Sequence, residues 1–182
     1  MRLTVIAAIL SVMIVPHVSG NTVDIAHLKV TNLWDEPRTI GEICGGQTLI
    51  IYICRPDLTT CREGAVFIDS QQARIASAGA RPVCIFLGDP ETVRELALRL
   101  DLKVEIYVDS DEVFYEKVLD QRILPAIVAV DGSGRRIAIR YGGGESLAAN
   151  LDSLLDELPR RRNWYRIAIV GIVIVAAILW LR

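Results

Sequence analysis

The chain has 182 residues, 52% of them hydrophobic, and its 20 basic and 22 acidic residues give a net charge of −2. Six arginines lie outside residues 21–158, so that segment carries 14 basic and all 22 acidic residues, a net charge of −8. So acidic a segment would repel the phosphates of a nucleic acid, which excludes nucleic-acid binding as its main role. Its length suits one domain with a single core.

The first 20 residues have the features of a secretory signal peptide. Arg2 is followed by an apolar run from Leu3 to Val15 and by the small-residue stretch Val18-Ser19-Gly20, where a peptidase can cut. We therefore expect the mature chain to begin near Asn21. An uncleaved N-terminal anchor is the alternative, and it leaves the following domain on the same side of the membrane.

A second apolar segment, residues 167–181, reads IAIVGIVIVAAILWL and contains no charged residue. Together with Trp164 and Tyr165 it reaches about 18 residues, or ~27 Å of helix, which is enough to cross a thin bilayer. Interfacial aromatic residues at its start are typical of membrane anchors. We predict a C-terminal transmembrane helix, with a buried core helix as the alternative.

Residues 159–166 form a basic juxtamembrane collar with four arginines, whereas only Arg182 follows the apolar segment. The positive-inside rule alone would therefore place the domain in the cytoplasm. We give priority to the N-terminal signal because it acts first, and we predict a domain that faces the periplasm or another extracytoplasmic space. The collar can instead lie against anionic lipid headgroups.

Strand and helix patterns alternate along residues 48–158, beginning with the apolar β-rich run TLIIYIC, which is typical of a strand buried on both faces. The predicted elements are a strand at 48–54, a helix at 61–78, a strand at 83–87, a helix at 90–100, a strand at 104–108, a helix at 110–120, a strand at 126–130, a hairpin turn at 131–134, a strand at 136–141 and a helix at 145–158. This order predicts an α/β domain with parallel strands and an antiparallel edge.

The segment LPAIVAVDGSGRRI, which follows an inserted helix-strand-helix, resembles part of the thioredoxin fold in its extracytoplasmic TlpA/ResA-like and peroxiredoxin-like (AhpC/TSA-like) branch. The resemblance covers about Asp35 to Leu158. It implies a central mixed sheet flanked by helices. It also implies that Pro125 is the family's cis-proline, which with Leu124 lies beside the redox cysteine and helps to bind the substrate's extended chain. A trans proline that opens an edge strand is the alternative.

Four cysteines, Cys44, Cys54, Cys61 and Cys84, fall in this domain, and outside the cytoplasm they allow three full disulfide pairings. There is no C-x-x-C pair and the two histidines are poorly placed as ligands, so we predict neither a metal site nor a soluble cofactor. Cys84, within PVCIFL, is most simply a buried core thiol. Cys44 precedes the first central strand and pairs with Cys54 or Cys84, or remains free.

On the TlpA/ResA pattern, Cys61 falls on the second cysteine of the C-x-x-C motif, and Leu58 occupies the position of the first, nucleophilic cysteine. Conventional dithiol exchange at C-x-x-C is therefore excluded. Thr60 and Glu63 have the form of a capping box, which would place Cys61 in the first turn of a helix.

The amide groups and the dipole of a first helical turn stabilise a thiolate and lower the pKa of a thiol. Arg55 or Arg62 can add positive charge near Cys61, whereas Glu63 opposes it. We therefore predict a moderately activated Cys61 thiol, provided that it is exposed.

Three functional hypotheses follow. The first is a membrane-anchored extracytoplasmic thiol–disulfide oxidoreductase. In it, Cys61 attacks the substrate disulfide, and Cys54 resolves the mixed disulfide across the six-residue turn. Pro125 shapes the docking of the partner, which is a protein thiol, a protein disulfide or a membrane-bound redox protein. The second is a redox-inert binding or assembly module with structural disulfides. The third is a peroxiredoxin-like thiol peroxidase, because PDLTTC is similar to the peroxidatic loop of that family, with Thr59 near the peroxide-binding position.

Overall fold

The computed structural model describes residues 23–158, which form a seven-stranded sheet with helices on both faces. The strands are β1 (Lys29–Asn32), β2 (Pro37–Thr39), β3 (Thr48–Cys54), β4 (Ala80–Leu87), β5 (Glu105–Asp109), β6 (Ala126–Val130) and β7 (Arg136–Tyr141). The helices are α1 (Ile40–Cys44), α2 (Thr59–Ser70), α3 (Gln72–Ser77), α4 (Pro90–Arg99), α5 (Val113–Val118) and α6 (Glu145–Glu157).

The strand order across the sheet is β2-β1-β5-β4-β3-β6-β7. The three central strands β5, β4 and β3 run parallel to one another. Strands β6 and β7 are antiparallel on one side, and β1 and β2 are antiparallel on the other. The predicted α/β architecture is thus confirmed, with an antiparallel pair at each edge of the sheet rather than at one.

Strand β3 lies at the centre of the core, and six of its seven residues are buried. Such burial is expected of an uninterrupted apolar run that is flanked by strands and covered on both faces. Side chains of a strand alternate between its faces. Ile50, Tyr52 and Cys54 face the core beneath α2, α3, α4 and α6, and the alternate side chains face α1 and α5. Cys54 therefore ends the strand on the side where α2 packs.

The sequence analysis did not identify β1, β2 and α1. Strand β1 pairs with both β2 and β5, and α1 begins with a capping box in which Thr39 and Glu42 bond to each other's backbone N–H. Because β1 has four residues and β2 three, neither shows enough alternation to be recognised as a strand.

Two predicted helices have different bounds in the structure. The helix predicted at 61–78 begins at residue 59 and is divided at Gln71 into α2 and α3. The helix predicted at 110–120 is reduced to α5, since Asp109 binds the N–H of Tyr115 and Glu112 has a φ of +57°. The other predicted strands and helices agree with the observed bounds to within three residues.

The predicted signal peptide at 1–20, the basic collar at 159–166 and the transmembrane segment at 167–181 lie outside the described residues. Within residues 23–158, no helix has both the length and the apolar character needed to span a bilayer. The three terminal assignments therefore stay predictions from the sequence.

Helix α2 packs closely on β3 at Gly64. The Tyr52 phenol is fully buried beneath the first turns of α2, and its hydroxyl lies 3.4 Å from the carbonyl oxygens of both Thr60 and Cys61, to which it can donate. A Cβ atom at Gly64 would lie 2.6 Å from Tyr52 Cζ and closer still to the phenol oxygen. Glycine is therefore required at this position for α2 to approach β3 as it does.

We expect Gly64→Ala to lower the free energy of unfolding by about 1–3 kcal/mol, because the added methyl group overpacks the contact with Tyr52. Urea denaturation followed by circular dichroism measures this change. Glu63→Ala, at an exposed neighbouring position of α2, is the control and is expected to change the stability by less than about 0.5 kcal/mol. A Gly64→Ala protein as stable as the wild type would contradict the close contact.

Candidate functional site

The two candidate redox cysteines lie at the carboxyl end of β3. Cys54 is the last residue of the strand, and Cys61 lies in the first turn of α2. Both side chains are 0% exposed and both are free thiols. The structure therefore brings the predicted pair together, but it places the pair in the core, so the exposure on which the predicted reactivity of Cys61 depended is not met in this conformation.

The sulfur of Cys61 accepts a hydrogen bond from the backbone N–H of Arg55 at 3.3 Å. The Cys54 thiol lies in the same core, and its interaction with Cys61 is the main reason that the pKa of Cys61 lies below the ordinary value of a thiol, although burial acts in the opposite direction. Burial, followed by the same interaction, raises the pKa of Cys54. Of the two thiols, Cys61 is therefore the one that ionises more readily.

Helix α2 begins two residues earlier than the predicted capping box would place it. Leu58 is the N-cap, its carbonyl oxygen accepts the N–H of Cys61 at 3.1 Å, and its side chain makes no capping bond. The capping box of Thr60 and Glu63 is thus wrong, because Thr60 already lies inside the first turn. The placement of Cys61 in that turn is confirmed, and there the amide dipoles favour a thiolate.

Residues 55–58 connect β3 to α2, and we call them the cover segment because the N–H of Arg55 lies against the Cys61 sulfur. Arg62 braces this segment from α2. Its guanidinium donates to the carbonyl oxygens of Pro56 at 3.0 Å and Asp57 at 3.1 Å. Arg62 was predicted to add positive charge to the thiol, and the structure instead uses its guanidinium to hold the backbone of the cover segment.

The charge of Arg55, by contrast, contributes to the lowered pKa of Cys61, and the carboxylate that opposes it is Asp57 rather than the predicted Glu63. Arg55 also forms an ion pair with Glu112, the residue immediately before α5. The cover segment is thus attached to α2 through Arg62 and to the start of α5 through Arg55.

The predicted cis-proline is present and lies next to the start of α2. The Leu124–Pro125 peptide bond is cis. A Cβ atom at Gly143 would lie 2.8 Å from Pro125 Cγ and 3.6 Å from Thr60 Cβ, so Gly143 lies between the proline ring and the turn that carries Cys61. Leu124 is half-buried and packs against the core on the side of α1 and α5.

The other two cysteines lie on opposite faces of the sheet. Cys84, in β4, is fully buried in the same core as the candidate pair, and burial raises its pKa, which confirms the prediction of a core thiol. Cys44, the last residue of α1, lies in the core on the other face, where burial raises its pKa to about 11. The sheet therefore separates Cys44 from Cys54 and Cys84, its predicted alternative partners.

Two other kinds of chemistry considered from the sequence have less support in the geometry. The Thr59 hydroxyl accepts a hydrogen bond from Arg62 at 2.9 Å, whereas the hydrogen bond to the Cys61 sulfur comes from the backbone N–H of Arg55. Thr59 is thus not among the partners of the candidate nucleophile. Within residues 23–158, no three His, Cys, Asp or Glu side chains are grouped as metal ligands.

The sequence analysis did not single out two residues that shape this site, Tyr52 and Glu112. Tyr52 is the one aromatic residue of β3, which otherwise consists of Leu, Ile and the terminal Thr48 and Cys54, and that pattern could have indicated a special contact. Glu112 lies in the acidic run DSDE, and nothing in that run shows which carboxylate faces Arg55. The contact joins the ends of β3 and β5, which β4 separates in the sheet.

We expect the alkylation rate of Cys61 by iodoacetamide, measured on the reduced protein from about pH 5 to 10, to have its midpoint below the pKa of an ordinary thiol. Cys54→Ala removes the thiol that lowers the pKa of Cys61 and should raise this midpoint. Cys84→Ala removes another core thiol but keeps Cys54, so it is the matched control and should leave the midpoint unchanged. Equal midpoints in Cys54→Ala and the wild type would show that the Cys54 thiol does not lower the pKa of Cys61.

No protein-family model and no curated protein sequence matches the chain. Solved structures do match. A secreted disulfide oxidoreductase of Mycobacterium tuberculosis, homologous to E. coli DsbE, is 17% identical with a TM-score of 0.59, over 73% of this chain and 97% of that one. The peroxidoxin BcpB of Mycobacterium tuberculosis is 13% identical with a TM-score of 0.64, over 78% of this chain and 97% of that one.

A thiol:disulfide interchange protein of the thioredoxin family from Chlorobium tepidum is 15% identical with a TM-score of 0.59, over 75% of this chain and 96% of the other. Identities this low show the fold alone. The neighbours include both disulfide-exchange proteins and a peroxidoxin, which agrees with the branch that the sequence resembles. Residues 23–158 of this chain therefore have the thioredoxin-like fold.

Proposed function

We propose that the protein is a thiol–disulfide oxidoreductase whose redox pair is Cys54 and Cys61. One observation carries the proposal: the backbone N–H of Arg55, the residue after Cys54, donates to the Cys61 sulfur at 3.3 Å, which places the two cysteines next to each other in the same core. The two cysteines that have to join in a disulfide are therefore neighbours, and of the pair only Cys61 has a lowered pKa. A nucleophilic thiol and a protonated partner are what dithiol exchange requires.

The exchange proceeds in two steps. The Cys61 thiolate attacks one sulfur of a substrate disulfide, which forms a mixed disulfide and releases the other substrate sulfur as a thiolate. Cys54 then gives its proton to that leaving thiolate and attacks the Cys61 sulfur, which forms the Cys54–Cys61 disulfide and releases the second substrate sulfur. Two electrons pass from the protein dithiol to the substrate disulfide, and the reverse steps oxidise a substrate dithiol.

Access to Cys61 requires the cover segment to move, because the sulfur is 0% exposed in the closed structure. Pro125 lies across Gly143 from the first turn of α2, and we expect it and the preceding Leu124 to contact the extended chain of a protein substrate. Apolar side chains suited to such a chain are exposed nearby in the sequence, with Leu58 at 38% and Ile123 at 47%. Protein thiols and disulfides are therefore the substrate class that we propose.

The sequence supports a location for this activity outside the cytoplasm. A signal segment at 1–20 directs the domain across the membrane, and an apolar segment at 167–181 then holds it there. In this arrangement the domain faces the periplasm or an equivalent space, where disulfides persist. A membrane-bound redox partner is accordingly within reach.

A redox-inert binding or assembly module is the second candidate, and burial favours it. Both sulfurs of the pair are inaccessible in the closed structure, and Leu58 stands where the related proteins have their exposed cysteine. If the cover segment does not open, the two thiols only fill space in the core and take no part in exchange. The two candidates therefore differ in whether Cys54 and Cys61 exchange with external thiols.

A redox titration of the full-length protein separates the two candidates. We expect Cys54 and Cys61 to convert between free thiols and a mutual disulfide at a potential above about −270 mV, within the range of working oxidoreductases. The protein is equilibrated in glutathione buffers, alkylated and digested, and the cysteine peptides are identified by mass spectrometry. Cys84→Ser, which alters a thiol of the same core, is the control and should preserve the transition.

Turnover of a model disulfide substrate gives the second readout. Cys61→Ser and Cys54→Ser should each reduce turnover to background, whereas Cys84→Ser should retain it. Absence of a Cys54–Cys61 disulfide, or one that resists reduction below about −300 mV, would favour the binding module. A sulfenic acid on Cys61 that forms with hydrogen peroxide but without disulfide turnover would indicate a thiol peroxidase instead.

A further inference from the structure

Glu112 has a backbone conformation that glutamate rarely adopts. Its φ of +57° and ψ of 15° lie in the left-handed region, which is costly for a residue with a long side chain. Glu112 occupies the N-cap position of α5, yet its side chain makes no capping hydrogen bond. Asp109 binds that helix instead, since its carboxylate accepts the N–H of Tyr115 at 2.8 Å. Capping of α5 therefore does not explain the side chain of Glu112.

The carboxylate of Glu112 forms an ion pair with the guanidinium of Arg55. The backbone N–H of the same arginine donates to the Cys61 sulfur at 3.3 Å. The contacts thus run from the start of α5, through the first residue of the cover segment, to the sulfur. Unusual backbone conformations that are held by surrounding contacts occur preferentially at functional sites.

The cover segment has two attachments, and they differ in kind. Arg62 holds Pro56 and Asp57 from within α2, the helix that the segment itself enters. Glu112 holds Arg55 from α5, which packs on the opposite face of the sheet. Among the hydrogen bonds and ion pairs of residues 23–158, only the Glu112 attachment ties the segment to an element other than the strand and helix that it connects. Its loss therefore frees the part of the segment that lies on the sulfur and leaves the start of α2 braced.

We propose that Glu112 is a positioning residue, which acts through Arg55 to keep the cover segment closed over Cys61 and so limits how often the sulfur is exposed. The inference rests on the proposed function, because it concerns access to the same redox pair. Glu112 does not touch the reacting sulfurs. It changes the fraction of time for which Cys61 can meet a substrate.

Alkylation of the reduced full-length protein tests this inference. We expect Glu112→Gln to increase the plateau rate of Cys61 alkylation by about two- to fivefold, the effect of a partly exposed ion pair on a local equilibrium. The plateau of the pH profile is used so that a changed pKa of Cys61 does not imitate a changed exposure. Glu112→Asp keeps the carboxylate and should give a rate closer to the wild type. Arg55→Gln should match Glu112→Gln, and the double variant should add nothing further.

Glu116→Gln is the matched control, because Glu116 lies on α5 but pairs with Arg122. It should leave the rate unchanged. Cys84 reports global unfolding, since it is fully buried in β4 and should stay unlabelled in every variant. Equal rates in Glu112→Gln and the wild type, or labelling of Cys84 in parallel with Cys61, would overturn the inference. Since alkylation needs no disulfide, a failed redox titration would remove the proposed function without deciding whether Glu112 controls exposure.

Discussion

The geometry of the candidate site depends on the contact between Tyr52 and the first turns of α2. Tyr52 lies two residues before Cys54 on the same face of β3, and Gly64 lets the helix descend onto its ring. Burial raises the pKa of the phenol, so the hydroxyl remains a neutral donor to the carbonyl oxygens of Thr60 and Cys61. A buried hydroxyl without partners would be costly, so this arrangement fixes the turn above the strand. Cys61 is thereby held next to the end of β3, where its sulfur accepts the N–H of Arg55.

Two opposing effects act on the Cys61 thiol. Removal from water disfavours a thiolate, whereas the Cys54 thiol, the Arg55 N–H and the first turn of α2 favour it. The favourable contacts prevail, so the pKa of Cys61 lies below that of an ordinary thiol although the residue lies in the core. On the TlpA/ResA pattern that the sequence resembles, Leu58 stands at the position of the first, nucleophilic cysteine. Under the proposed function, Cys61 is therefore the nucleophile, and it becomes accessible only when the cover segment moves.

Much of the fold follows from patterns that the sequence shows directly. The long apolar run of β3, the Asp89-Pro90 start of α4 and the turn after β6 each combine a residue preference with a periodicity, and the structure has these elements where they were expected. The start of α2 was misplaced, because Thr60 and Glu63 have the sequence spacing of a capping box but do not form its hydrogen bonds. The short edge strands β1 and β2 contain too few residues to show the alternation of apolar and polar residues by which a strand is recognised.

The site itself was predicted only in part. Cys54, Cys61 and Pro125 were expected to lie close together. In the structure Cys61 lies in the first turn of α2, and Cys54 and Pro125 lie near that turn. Burial of the thiols could not be anticipated, since it depends on how residues 55–58 cross the end of the sheet. The ion pair of Glu112 and Arg55 joins positions far apart in the chain and is a property of the tertiary structure alone.

The burial of all four cysteines also bears on how the protein would survive in the oxidising compartment that we propose for it. Exposed thiols there react quickly with other proteins, and the resulting mixed disulfides link chains that do not belong together. A thiol in the core reacts only during brief openings of its surroundings. The rate of its reactions is therefore set by motion of the chain rather than by collision. Protection of this kind needs no recognition of the unwanted partner, because the rarity of the openings limits the reaction whatever molecule is present.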